Sequence, residues 1–143
     1  MTITEELEID CEPAVVFDVM ADVRNEAKWN DSVSKAEILT GDPVREGSQF
    51  VTVHGPPLGD ITSTITTFER PGRLDFSATS KRMDLAMSLT FTESASGTTM
   101  HLTVEPQPRG FMALLFPLLR PMIRRDMVKQ HQNLKELCES HAR

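Results

Sequence analysis

Residues 83–105 read MDLAMSLTFTESASGTTMHLTVE, and this stretch is the strongest indication of the fold. Large apolar side chains alternate with small or polar ones on both sides of the turn-forming sequence SASG. Alternation of this kind is typical of half-buried strands, and a short polar connection between two of them predicts an antiparallel hairpin. We therefore expect strands at 83–92 and 98–105, each with one apolar and one solvated face. His101 falls on the solvated face and should contact water.

The chain before this hairpin continues the pattern of short strands and turns. Turn-rich sequences separate four more predicted strands, which cover residues 33–40, 48–54, 60–69 and 73–79. Short connections between consecutive strands imply antiparallel pairing. An alternating segment near the N-terminus that ends at Asp10 predicts an opening strand, which brings the sheet to seven strands.

Two short helices are predicted between the first and second strands. Pro13 suits the first turn of a helix, and apolar residues recur at helical spacing up to residue 21. Asp22 is a residue type that caps helices, and we expect it to cap a second helix from Arg24 to Trp29.

A long C-terminal helix is predicted after Pro106 and Pro108. Its apolar stripe has steps of three and four residues and consists of Met122 or Ile123, Met127, Gln130 or His131, Leu134 and Cys138. Pro117 and Pro121 each remove an amide donor and crowd the preceding turn. We therefore expect a kinked or broken helix in the first half and a regular helix after it.

Four segments carry a resemblance to a known family: VVFDVMADVRNEAKWN (15–30), EILTGDPVREGSQF (37–50), ITTFERPGRLDF (65–76) and NLKELCE (133–139). Taken in order, they resemble the polyketide cyclase/dehydrase and lipid-transfer (START-like) superfamily, which also includes Bet v 1-like proteins. The resemblance implies an α+β helix-grip fold in one domain over residues 1–143. Such a fold wraps a seven-stranded antiparallel sheet around the long C-terminal helix. A curved sheet and a straight helix do not pack closely along their length, so an apolar cavity is expected between them.

The charge distribution argues against general nucleic-acid binding. The chain has a net charge of −6, whereas neutralising phosphates requires an excess of Lys and Arg. Residues 1–108 carry 8 basic and 18 acidic side chains, and residues 109–143 carry 7 basic and 3 acidic ones. The C-terminal segment is therefore a basic element on an acidic body.

The two cysteines and the N-terminus bear on cofactors and location. Cys11 and Cys138 are too far apart in sequence to suggest metal-ligand spacing, so we expect neither a metal nor another cofactor. The start MTITEELEID is acidic and alternating, unlike a signal peptide. We expect a cytoplasmic protein.

The candidate ligand-contacting residues are large and mostly apolar, and they lie on inward strand faces and on the terminal helix. On the hairpin they are Leu85, Met87, Leu89, Phe91, Met100 and Leu102, and on the helix they are Phe111, Leu115, Met122 and Met127. Each of them also fits an ordinary core position. Trp29, the only tryptophan, lies near one rim of the cavity in the superfamily that the chain resembles, as a structural plug or as a ligand contact.

The strand at 48–54 has two possible orientations. Either Phe50, Thr52 and His54 point inward, or Val51 and Val53 do. In the first case an imidazole would lie beside the cavity. Histidine exchanges protons near neutral pH, so His54 is the tentative catalytic residue, while Phe50 and Thr52 would join the cavity wall.

Three functions follow from these expectations. The first is binding or carrying a hydrophobic small molecule, such as a lipid, a polyketide or an isoprenoid-like compound. The second is a cyclase/dehydratase-type enzyme acting in the same cavity, although no catalytic motif is recognisable. The third is a module that contacts a membrane or a partner through residues 111–125, a segment also expected to be a mobile entrance. The protein would be a monomer or a homodimer.

Overall fold

The computed structural model describes residues 2–56 and 58–141. Over these residues the sheet has seven strands, which are β1 (Ile3–Ile9), β2 (Val33–Ile38), β3 (Gln49–His54), β4 (Asp60–Glu69), β5 (Arg73–Thr79), β6 (Met83–Ser94) and β7 (Gly97–Pro108). All pairs are antiparallel, in the order β1-β7-β6-β5-β4-β3-β2. Consecutive strands are neighbours except for β1, which crosses over to pair with β7. The predicted seven-stranded antiparallel sheet is confirmed.

The helices also follow the predicted order. They are α1 (Pro13–Ala21), a 3₁₀ turn (Val23–Asn25) that leads into α2 (Glu26–Trp29), and α3 (Phe111–His141). Asp22 caps the 3₁₀ turn, because its Oδ1 accepts a hydrogen bond from the Arg24 backbone N–H at 3.1 Å. The fold is therefore the expected α+β arrangement, with short helices after the first strand and a long helix at the end.

Strand β7 is longer than predicted and runs through both Pro106 and Pro108. On one side it pairs with β6 along its whole length. On the other side β1 ends at Ile3, which lies opposite Val104. Beyond Val104, β7 therefore has a neighbouring strand on the β6 side alone. A proline facing the open side lacks an amide donor, but no carbonyl of a neighbouring strand needs that donor.

Helix α3 is continuous from Phe111 to His141, so, of the predicted kink or break, the break is wrong. Pro117 and Pro121 lie inside the helix, but both are exposed. The carbonyls that they leave without an amide partner belong to Ala113 and Pro117, which are exposed too, so water can satisfy them. No helix in the described part of the chain is long and apolar enough to cross a bilayer.

The core lies between the inner face of the sheet and the helices. Phe17 of α1 packs edge-on against Phe68 and Phe91, with ring centroids 5.0 and 5.6 Å apart. Leu134 and Cys138 of α3 are completely buried. Burial raises the pKa of the Cys138 thiol to about 12, so this side chain stays protonated and packs as a small apolar group.

The C-terminal half of α3 is tied to α2 and β1 by polar contacts. Asn133 Nδ2 donates to the Trp29 carbonyl at 3.1 Å, and Gln130 Oε1 accepts from the Asp31 N–H at 3.0 Å. Lys135 Nζ donates to the Glu8 carbonyl at 3.0 Å. These bonds hold the middle of α3 against both the first strand and the short helices.

Candidate functional site

A cavity lies beneath the short helices and is bounded by residues from α1, α2, four strands and α3. The space between these residues, including the part that is open to solvent, is about 550 Å³. Most of the wall is apolar and consists of Val19, Met20, Val23, Trp29, Phe76, Ala78, Leu85, Met87 and Leu102. The polar lining residues are Asp22, Glu26, Ser63 and His131.

Two small side chains make room for this cavity. Ser63, Ala78 and Leu85 are direct cross-strand neighbours on β4, β5 and β6. In the next inward row along the same strands, Phe76 is paired with Met87. Protein interiors fill their space closely, so a serine and an alanine in line leave a volume that larger side chains would occupy.

His131 brings an imidazole to the cavity wall from the middle of α3. The side chain is buried, and its Nδ1 is hydrogen-bonded to the Oε2 of Glu5 on β1. The ring lies 6.0 Å from the Trp29 ring, tilted by 50°. His131 lines the cavity, and among the described residues its Nε2 has no hydrogen-bond partner. Nε2 is therefore the ring nitrogen that is left for a molecule in the cavity.

Glu26 supplies the second polar group from the first turn of α2. Asn30 Nδ2 donates to its Oε1 at 3.2 Å. Removal of water by the surrounding cavity wall raises the pKa of the Glu26 carboxyl to about 7, while the Asn30 hydrogen bond and the charge of His131 act in the opposite direction. Near neutral pH this group exists in both protonation states, so it can donate or accept a hydrogen bond.

Glu26 should make the protein less stable as the pH rises. Its pKa is about 7 in the folded state and near 4.5 unfolded, so between these values the folded protein binds a proton that the unfolded chain has lost. The free energy of unfolding therefore falls across this window. Glu26→Gln removes the effect, and the variant should gain about 1 to 3 kcal/mol relative to wild type between pH 5 and pH 8. Urea unfolding at both pH values measures this. A stability difference that does not change with pH would show that Glu26 is not desolvated.

The comparison with known protein families is decisive. Residues 1–139 match the family described as polyketide cyclase/dehydrase and lipid transport. The chain belongs to this family. A comparison with curated protein sequences found no match.

Several solved structures share the fold of this polyketide cyclase/dehydrase and lipid transport domain. TTHA0849 from Thermus thermophilus has a TM-score of 0.82 and 14% identity, and the alignment covers 100% of both chains. The ZhuI aromatase/cyclase from Streptomyces sp. R1128 also has a TM-score of 0.82 and 14% identity, with coverage of 100% of this chain and 96% of that one. Ara h 8.0201 has a TM-score of 0.74 and 13% identity over 98% of each chain. At these identities the likeness is one of fold.

In this family member, four of the predicted ligand-contacting residues line the cavity: Trp29, Leu85, Met87 and Leu102. Five others lie instead in packed regions away from the wall: Phe50, Thr52, Leu89, Phe91 and Met100. Strand alternation was correct in pointing them inward, including the orientation with Phe50 and Thr52 buried. Leu89 does not line the cavity because it lies between two large side chains, Leu74 and Leu102, on the adjacent strands.

The predicted contacts on α3 lie away from the cavity as well. Phe111 and Met122 are exposed, and Leu115 and Met127 are partly buried without bordering the cavity. Among the residues of α3 that the structure describes, the one that lines the cavity is His131. The first half of the helix extends past the cavity.

His54 lies outside the cavity, in a surface groove next to Asp60 and Lys81. It shares a hydrogen bond of 3.0 Å with the Thr52 hydroxyl through Nε2. Burial lowers its pKa, and the charge of Asp60 opposes that shift. His101 is half exposed and lies 3.7 Å from Glu6, so the prediction that it contacts water is confirmed.

The sequence pattern does not indicate the polar residues of the cavity. It gives His131 only as an alternative to Gln130 on the α3 stripe, and Glu26 lies in the polar segment NEAK. A histidine on an otherwise apolar helical stripe was the available signal. Its partner Glu5 is 126 residues away, so no local pattern connects the two.

Proposed function

We propose that this protein binds and carries a hydrophobic small molecule in the cavity, such as a lipid, a polyketide or an isoprenoid-like compound. The observation that supports this most is the combination of an apolar wall with two available polar atoms, Nε2 of His131 and a carboxyl oxygen of Glu26. Sites for small molecules are commonly apolar, with a few polar groups that fix orientation. The ligand would therefore have an apolar body and a polar group that can exchange hydrogen bonds.

The chemistry of the cavity wall indicates which ligands it favours. A ligand in this space would contact aliphatic, thioether and aromatic side chains. These side chains stabilise any apolar ligand by burying its surface, and the hydrophobic effect has no preferred direction. We therefore expect the cavity to discriminate between ligands by their length and their polar group more than by other differences in their structure.

Trp29 provides the experimental readout, because it is the only tryptophan and it lies in the cavity wall. We expect saturable quenching or a shift of its emission when 1-decanol is titrated into the ligand-free protein. Decane should bind more weakly because it cannot use Glu26 or His131. Ala78→Phe serves as the control with a filled cavity. An emission spectrum that responds to neither compound, in a protein shown to be folded, would count against the proposal.

A second candidate is an enzyme that acts on a carbonyl compound in the same cavity. The specific observation in its favour is that the His131 imidazole, held by the Glu5 carboxylate, lines the same cavity as Glu26, whose pKa is about 7. Proton transfer requires an acid or base positioned beside the reacting group. The similar ZhuI structure is described as an aromatase/cyclase. The two candidates differ in turnover: an enzyme would accelerate deuterium exchange next to the carbonyl of 2-decanone, whereas a carrier would only bind it.

A further inference from the structure

The first half of α3 presents an apolar face to solvent. Phe111 is 67% exposed, Leu114 75%, Leu118 78% and Met122 59%. Their spacing of three, four and four residues aligns them along one side of the helix. Single exposed apolar residues are ordinary on a protein surface, but four large ones in a row indicate an interaction surface. We call these four residues the apolar face.

The charges around the apolar face are mainly positive. Residues 106–129 contain four arginines, Lys129 and one acidic residue, Asp126. Arg125, Asp126 and Lys129 continue the line of the apolar face beyond Met122, and Lys129 also lies 3.9 Å from Asp31. Within the described residues, Arg120, Arg124 and Arg125 have no ion pair, so their charge is available to an external partner.

The rest of the molecule has the opposite charge. Residues 1–108 carry a net charge of −10 and residues 109–143 carry +4. Near an anionic surface, α3 would be attracted and the acidic body repelled, which turns the apolar face towards that surface. An apolar helix face beside Lys and Arg is the arrangement by which helices lie in the plane of a bilayer interface.

A second copy of the chain is a poorer partner for the same face. Two copies related by a twofold axis would each present the same patch. Segment 120–129, with three arginines and Lys129 against the single acid Asp126, would then bring a net positive charge from both sides. Like charges placed together oppose association. An anionic lipid surface satisfies both the apolar and the basic features.

We propose that the apolar face of α3 is a docking surface for an anionic lipid bilayer. The helix would lie along the interface, with the apolar face among the acyl chains and Arg125 and Lys129 at the phosphates. This inference does not depend on what the cavity binds. If both proposals hold, docking would bring the protein and its cavity to the lipid bilayer, in which hydrophobic ligands dissolve.

Vesicle flotation with the ligand-free, full-length protein tests the docking surface. We expect binding to vesicles of equal parts phosphatidylcholine and phosphatidylglycerol, little binding to pure phosphatidylcholine, and release by high salt. The double substitution Leu114→Glu and Leu118→Glu should weaken binding at least about tenfold, because two apolar anchors are lost and negative charge is gained. Both sites are exposed, so the fold should persist, as circular dichroism would verify. Leu39→Glu is the matched control: Leu39 is 55% exposed, lies outside the apolar face, and should bind as wild type does.

Three results would overturn this inference. One is no binding of the wild-type protein to anionic vesicles at low salt. Another is equal binding to both kinds of vesicle. The third is a double variant that binds vesicles as wild type does but shifts from dimer to monomer in sedimentation, which would assign the apolar face to self-association. Each result leaves the Trp29 titration unaffected, so failure here is distinguishable from failure of the carrier proposal.

Discussion

Ala78→Phe is expected to weaken the binding of 1-decanol at least about tenfold and to leave the protein folded. Ala78 belongs to the cross-strand row with Ser63 and Leu85, where two small side chains make room for the cavity. A phenyl ring at this position would fill that space and remove the apolar volume available to a ligand. Overpacking usually destabilises a filled core by about 1 to 3 kcal/mol, so a small cost would itself indicate empty space. The readout is the Trp29 emission titration together with urea unfolding.

Ala86→Phe is the matched control for this substitution. Ala86 lies on the neighbouring strand, is exposed, and pairs with Ser77 on the outer face of the sheet. The same increase in size on this face should leave 1-decanol binding unchanged. If Ala78→Phe and Ala86→Phe bind the alcohol equally well, the ligand is not in the cavity that we describe.

Leu89→Ala should destabilise the protein far more than Met87→Ala, although both residues lie on β6 and point the same way. Leu89 is completely buried between Leu74 and Leu102 on the adjacent strands. Removing its side chain should cost about 2 to 5 kcal/mol, the usual range for a packed leucine. Met87 borders space that is already empty, so its removal loses fewer contacts and should cost about half as much or less.

Urea unfolding of the two alanine variants measures this difference. The slope of the free energy of unfolding against urea should stay the same in both, because neither change alters the surface exposed on unfolding by much. The binding of 1-decanol is a second measurement. Met87→Ala enlarges the cavity and should therefore still bind 1-decanol. Equal destabilisation by the two substitutions would mean that Met87 is packed as tightly as Leu89 and that the cavity is filled.

Much of the fold could be predicted from the sequence because its signals are local. Alternation and turn residues predict β4 and β5 with the bounds that the structure has, and they predict the inward face of β6 correctly. Pro13 and the capping Asp22 likewise marked the two short helices. These features depend on neighbours a few residues apart, which a single sequence displays.

The location of the cavity could not be predicted in the same way. Alternation puts both Leu85 and Leu89 on the inward face, but only the first lines the cavity. The difference lies in the adjacent strands, where Leu85 meets Ala78 and Leu89 meets Leu74. Which side chains become neighbours depends on strand register, a property of the whole sheet.

Helix α3 shows the same limit to what periodicity conveys. Apolar residues recur along its whole length, and the prediction placed ligand contacts such as Phe111 and Met122 in the first half. In the first half the structure buries Met112 and Phe116 instead and leaves these two residues in solvent, while the second half contacts α2 and β1. Which side of a long helix meets the sheet depends on the distant strands rather than on the helix itself.

Native mass spectrometry of the protein purified from its own host tests the central proposal most directly. We expect a fraction of the molecules to carry one non-covalent adduct per chain. Solvent extraction should release it as an apolar compound with at least one hydrogen-bonding group. Ala78→Phe, prepared in the same way, should lack the adduct. The proposal would be contradicted by a wild-type protein that carries no adduct and takes up none when mixed with a total lipid extract of that host.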